Sequence, residues 1–436
     1  MRRILFAIVG LMLPLWAMGQ PGTGQNGDVL RNEVLDSGVA SVQLIPEGRV
    51  LAPPVVTLSG TERLHLSFDY VRPNPPQLAY RILHCDRSWR PDRLLPSDYM
   101  RGFELNYIAS PSPSVATTVP FSHYELRLPN PDVELLVSGN YVVQVVDASA
   151  PGRIIIQWRF ALSEDLLPIA MALATVPGER RASHQRVELS FNPQGIGGGV
   201  DPWNLQVYLM QNWDVDCMET LPAPKLQGDG RLLYGDQTQP IFPGGNRWRV
   251  LDIQDLNTPG VGVSRIAHDV DGYMVEVEPD RPLIRFDDRP NLHGYCAPGY
   301  AARWGGPLLD TRFNSQAESA DYAWVYFSFR PQAYIAGGVE LYLASGAAQG
   351  NRIPMRYNAV REQYEVSLRL KQGVYSYRYV QVSGMLQGCE AVCPLEGCFS
   401  ETTNEYAALV YYCAPADRYD RLVGFLRKDL QGFKAY

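Results

Sequence analysis

Trp324-Val325-Tyr326-Phe327-Ser328-Phe329-Arg330 sets Val325, Phe327 and Phe329 against Trp324, Tyr326 and Ser328. A period of two residues is the signature of a strand with one face buried and one facing outward. The same alternation returns at 339–343, 364–370, 374–380 and 407–412, and in the 374–380 run Tyr375, Tyr377 and Tyr379 share a face. Upstream, Leu64, Leu66 and Phe68 alternate with His65, Ser67 and Asp69, and Val187, Leu189 and Phe191 alternate with Arg186, Glu188 and Ser190. Further strands are expected at 80–85, 124–128, 141–147, 154–160, 205–209 and 273–277. Gly and Pro, 38 and 34 residues, fall between these short runs rather than in one tract. Strands of this length punctuated by turn residues predict an all-β protein of tandem β-sandwich (immunoglobulin-like or E-set-like) domains with little helix. Only 417–430 looks able to form a helical turn or two.

The chain has 436 residues, too many for one ordinary core. The first 19 residues read as a cleavable secretory leader, with Arg2 and Arg3 before an apolar run and small residues at Ala17 and Gly19. Residues 20–37 are polar and Gly-rich and are expected to form a flexible tail. An N-terminal β-sandwich is expected over 38–163, a middle β-domain over 164–317 and a C-terminal β-sandwich over 318–436. The formal charge is −7, with 39 basic and 46 acidic residues. That balance argues against nucleic acid and against an anionic membrane surface as partners, since neither would gain by counterion release. After the leader no second long apolar run follows, so no direct membrane insertion is expected.

Fragments that invite a catalytic reading have plainer counterparts. Gly195-Ile196-Gly197-Gly198-Gly199 lacks Gly at Val200 and has no helix after it, so a hairpin loop is preferred to a nucleotide loop. Asp269-Val270-Asp271-Gly272 places its Gly too early for a calcium loop and reads as a turn between strands. In His84-Cys85-Asp86, neighbouring side chains on a strand point to opposite faces, which separates the imidazole from the thiol. The six His, at 65, 84, 123, 184, 268 and 293, lack the spacing of metal sites. The carboxylates Asp287 and Asp288 have no assigned partner role. No catalytic, cofactor-binding or metal site is therefore predicted, nor a small-molecule substrate, and the partner interface is left open. Seven Cys are present, and four of them, Cys389, Cys393, Cys398 and Cys413, lie close together. In an exported chain the default for such a cluster is disulfides, and these four are the candidates. Their spacing is not that of structural zinc pairs. The 25 Tyr and 8 Trp suit interfaces or sugar platforms.

Several runs carry a resemblance. Toward the end stand Gly397-Cys398-Phe399-Ser400-Glu401-Thr402-Thr403-Asn404-Glu405-Tyr406, Val410-Tyr411-Tyr412 and Asp417-Arg418-Tyr419-Asp420-Arg421-Leu422-Val423-Gly424. Before them come Met355-Arg356-Tyr357-Asn358 and Lys371-Gln372-Gly373-Val374-Tyr375-Ser376-Tyr377. Near the front are Tyr80-Arg81-Ile82-Leu83-His84-Cys85-Asp86, Gly102-Phe103 and the run from His123-Tyr124 to Pro129-Asn130. Together these resemble the type IX secretion system plug protein family of Bacteroidetes, over nearly all of 41–425. The resemblance implies a non-enzymatic periplasmic protein without cofactors, whose partner is the large outer-membrane translocon barrel of that system. Family members occupy the periplasmic mouth of that barrel and keep the membrane sealed. The segment Ala344-Ser345-Gly346-Ala347-Ala348-Gln349-Gly350 and the extra Cys around 389–398 depart from the family pattern. An exported carbohydrate-binding accessory protein, using the Tyr375, Tyr377 and Tyr379 face, is the alternative.

Overall fold

The strand that contains 324–330 runs over Tyr322–Phe329, with Val325, Phe327 and Phe329 fully buried while Trp324 is 49% exposed. It lies in a computed structural model that describes residues 28–235, 240–289, 292–301, 314–344, 351–382 and 388–433. The leader and the first part of the expected tail, through residue 27, lie outside the described residues, as do 345–350 of the loop that departs from the family pattern. The described chain is all-β. Its two α-helices, Pro96–Tyr99 and Cys393–Glu396, have four residues each. Among the described residues no helix is long and apolar enough to cross a membrane.

Two sheets form the first unit. One orders Glu33–Val34, Ala150–Ser163, Gly139–Asp147, Leu78–Cys85 and Asn106–Tyr107, with Val55–Thr57 joining Ala150–Ser163 in parallel. The other orders Val39–Pro46, Leu64–Tyr70, Ser122–Leu128 and Ser112–Pro113. Their inward residues, among them Leu66, Phe68, Tyr80, Tyr141 and Phe160, make one core. Residues 28–37 are not a free tail. Glu33 and Val34 pair with Gln157 and Ile156, and Leu30 donates its amide to the Trp89 carbonyl at 2.9 Å. The open edge of Ala150–Ser163 supplies unpaired backbone groups that even a polar segment can satisfy.

The other two units do not follow each other along the chain. Ala170–Ala174, His184–Phe191, Leu232–Tyr234 and Lys225–Leu226 form one sheet of the second unit. Its facing sheet orders Met218–Thr220, Leu205–Gln211, Asn404–Tyr412 and Arg421–Leu430. The core between them joins Val187, Leu189 and Phe191 to Tyr406, Ala408 and Val410. The third unit pairs a sheet of Arg249–Asp252, Gly373–Gln381, Val339–Leu343 and Asn351–Pro354 with one of Val263–Asp269, Gly272–Val277, Tyr322–Phe329, Gln363–Lys371 and Arg356–Asn358. Strands from both sides of 317 share each unit, so the expected division at 317 does not follow the sheets. The third unit interrupts the second, and the chain returns at Asn404–Tyr412 to complete it.

Two local expectations also change. Arg421–Leu430 is a strand, not a helical turn, because it pairs along its whole length with Asn404–Tyr412. The Gly195–Gly199 stretch is not a hairpin loop, because His184–Phe191 and Leu205–Gln211, which it connects, lie in different sheets. At 269–272 a tight turn does join Val263–Asp269 to Gly272–Val277, with the Asp271 amide on the Asp269 carboxylate at 2.8 Å.

Candidate binding cleft

His84 and Cys85 end the strand Leu78–Cys85, and both are buried. The His84 ring is held at Nδ1 by the Asp92 carboxylate and at Nε2 by the Ser138 carbonyl oxygen, 3.1 Å away. Burial, and then the negative Asp92 and Asp86, push the Cys85 thiol far above its ordinary value, the reverse of what a nucleophile needs. Asp287 is likewise committed. Against the effect of burial, hydrogen bonds from Arg289 and Arg247 hold its carboxyl well below the usual range. Among the described residues no three His, Cys, Asp or Glu side chains are grouped as a metal site requires.

The Tyr375, Tyr377 and Tyr379 face is core rather than surface: the three residues are 4%, 2% and 0% exposed. Tyr377 and Tyr379 both donate to Asp280 at 2.9 Å, and Tyr375 donates to the Lys371 carbonyl. A buried face with committed hydroxyls is no sugar platform, so these three tyrosines do not support the carbohydrate reading.

The cysteines pair differently from the local expectation. Cys393 bridges Cys398, but Cys389 reaches back to Cys217, 172 residues away. Cys413 is left as a partly exposed thiol. The long bridge joins Val215–Cys217 of the second unit to Gly388–Val392, which follows the third. No spacing rule within the cluster could have found it.

Several stretches far apart in sequence meet along one seam. Arg87, just after Asp86, gives its backbone amide and its guanidinium to the Asp420 carboxylate, both at 2.9 Å. Tyr419 sets its ring edge-on to His84 at 5.5 Å. Arg421 binds Glu164 at 2.5 Å, and Tyr411 donates to Asn140 at 2.7 Å. Gly139 packs tightly against this seam. It sits at φ +125°, and a Cβ there would meet His84 Nε2 at 2.8 Å and the Asp420 carbonyl oxygen at 2.9 Å.

Beside the seam opens a cleft of about 630 Å³ between the first unit and the sheet that carries Leu205–Gln211 and Asn404–Tyr412. Two of its aromatic walls stand on unusual backbone. Trp89 has φ +64° and Trp213 has φ +50°, a region that bulky residues rarely occupy. Each is held there by neighbouring polar groups. The Asp86 carboxylate accepts from the amides of Ser88 and Arg90 at 2.8 and 2.9 Å, closing the turn that carries Trp89. Asn212, itself at φ +52°, donates to Asn404 at 2.8 Å and accepts from the Glu405 amide at 3.0 Å. Backbone strain of this kind persists only where the surroundings over-determine it.

A second cluster of charge lies between the first and third units. Asp69 is fully buried and accepts from Lys371 at 2.6 Å, from Tyr322 at 2.6 Å and from His123 Nδ1 at 2.7 Å. Lys371 also lies 4.2 Å from the centre of the Phe121 ring. Burial lowers the Lys371 ammonium from its ordinary value, against the pull of Asp69. The expected outward face of Leu64–Tyr70 is thus covered by the third unit.

Residues 39–164 match the family model described as the type 9 secretion system plug protein 1st domain. Over these residues the chain carries the first domain of the type IX secretion system plug family. A crystal structure of a hypothetical protein from Parabacteroides merdae is similar to this chain, with 27% identity and a TM-score of 0.83. The alignment covers 92% of this chain and 100% of that one. No curated protein matches the sequence. The cleft borrows one wall from the matched domain and the other from strands far beyond it.

Proposed function

We propose that this protein is a non-enzymatic, periplasmic plug subunit of the type IX secretion system that binds and seals the periplasmic mouth of the outer-membrane translocon barrel. The observation that carries the reading is the match of 39–164 to the plug family's first domain. A plug works by occupying space, so its units must not swing apart when the barrel pushes on them. Buried polar links across the seams suit that demand. Lys371 to Asp69 ties the third unit to the first, and Arg378 to Asp214 at 2.5 Å ties the third to the second. Release is then a population shift, in which a second partner that accepts cargo from the barrel, the cargo-accepting partner, favours the plug-free barrel.

The test is affinity capture of the tagged chain from envelopes of cells that lack the cargo-accepting partner. Recovery of the barrel, and leakage of a periplasmic marker when the plug gene is deleted, are expected. Envelopes that yield no barrel in that background overturn the reading.

A further inference from the structure

The cleft beside the seam has an unbalanced lining. Arg31, Arg87, Arg159 and Arg352 face it, with Asp216 as its single acidic residue. Arg87 is neutralised by Asp420 at 2.9 Å and Arg352 by Asp216 at 2.6 Å. Arg159 gives its Nε to the Leu30 carbonyl at 2.6 Å and stacks on Trp89, 4.6 Å from the ring centre. Among the described residues no carboxylate lies within ion-pair distance of Arg159 or of Arg31. Burial lowers the Arg159 guanidinium to about 10, and the positive Arg31 nearby adds to the effect. A guanidinium at about 10 is still charged near neutral pH, so Arg159 stands beside Arg31 with no carboxylate to offset the pair.

The remaining walls are aromatic and apolar. Trp213 lines the cleft and is 7% exposed. Phe160, Tyr208, Tyr411 and Met210 line the rest of the space. Its volume falls in the range of ordinary ligand sites, and Trp, Tyr and Arg are the residues that anchor protein contacts.

We propose that this cleft binds an extended peptide segment of a partner protein that carries a carboxylate beside an apolar or aromatic side chain. The carboxylate sits between Arg31 and Arg159, and the apolar side chain lies against Trp213 and Tyr208. The net charge of −7 disfavours a polyanion such as nucleic acid, whereas a single carboxylate costs little in that field. The carboxylate can come from an acidic side chain or from a chain end. This site is separate from the plug reading, since peptide binding is measured on the purified chain with no translocon present.

Calorimetric titration of the full chain decides it, with three peptides as probes. The first is acetyl-Leu-Glu-Phe-Asp-amide, the second its Gln/Asn isostere, and the third acetyl-Leu-Gln-Phe with a free carboxyl end. Saturable binding of the first or the third is expected, and which of them binds tells the side chain from the chain end as the source. The isostere should bind roughly tenfold more weakly or worse, as loss of a charged hydrogen bond implies. Arg31→Gln, at an exposed position that leaves the fold intact, should weaken the acidic peptide by a similar factor, and added salt should shrink the difference. Equal affinity for the isostere, unchanged binding by Arg31→Gln, or no saturable heat from any peptide would falsify the proposal. Self-association of the chain that Arg31→Gln abolishes would assign the cleft to a second copy, which also overturns it.

Discussion

Glu405 shows how a single position carries the consequences of the long-range fold. It lies in the strand Asn404–Tyr412, and its side chain accepts from Tyr295 at 2.6 Å and faces Arg427 at 3.4 Å. Burial raises its carboxyl from 4.5 to about 7, more than Arg427 and Tyr295 lower it. The folded protein therefore holds this proton more tightly than the unfolded chain does. The stability that follows is fully present below pH 4.5 and is lost as pH rises toward 7. Urea unfolding across that window should show Glu405→Gln with a flatter pH dependence than the parent, by roughly 1–3 kcal/mol. Parallel curves would mean that Glu405 ionises as freely in the folded state as in the unfolded one. The residue belongs to a family-like run, but nothing in that run announces burial. Tyr295 and Arg427 come from other parts of the chain.

At the level of elements, alternation located the strands that have one polar face. It failed where both faces are covered. In Arg421–Leu430 the apolar residues Leu422 and Val423 are adjacent and both fully buried. Periodicity cannot tell such a strand from a short buried helix. The disulfides show a similar limit, since the clustering of Cys389, Cys393, Cys398 and Cys413 marked candidates without pairing them, and the bridge from Cys389 to Cys217 leaves the cluster altogether. Cross-linking stabilises mainly by restricting the unfolded chain, and more so for longer loops. Cys389→Ser, which opens the 172-residue loop, should cost about 2–4 kcal/mol in denaturant unfolding. Cys393→Ser, which opens a five-residue loop, should cost less. Equal losses would show that the long bridge does not constrain the unfolded chain.

At the scale of the whole molecule, the second and third units are interleaved and the first is fastened to both. Lys371 and Asp69 are 2% and 1% exposed at their side chains, so the pair is out of water. Removing one partner of a buried pair leaves an uncompensated charge, whereas removing both need cost little. Lys371→Met should therefore destabilise the chain by roughly 3–5 kcal/mol, and adding Asp69→Asn should restore part of it. Limited proteolysis between the units gives the second readout, with the single variant cut faster than the double. If the double variant is the weaker of the two, the pair contributes nothing specific to the docking.

The all-β class and the positions of most strands follow from the amino-acid order alone, because alternation and turn chemistry act over a few residues, while the plug-family likeness rests on particular runs of residues. Tertiary structure decided the rest. It sent 404–412 back beside 205–211, turned the Tyr375, Tyr377 and Tyr379 face into core and buried Asp69 under another unit. It also brought Arg31, Arg159 and Trp213 to one cleft. A strand's pattern records that one face meets something apolar and the other something polar. It does not record which partner supplies either, since pairing is settled by which distant surfaces fit and by the free energy of taking them out of water together.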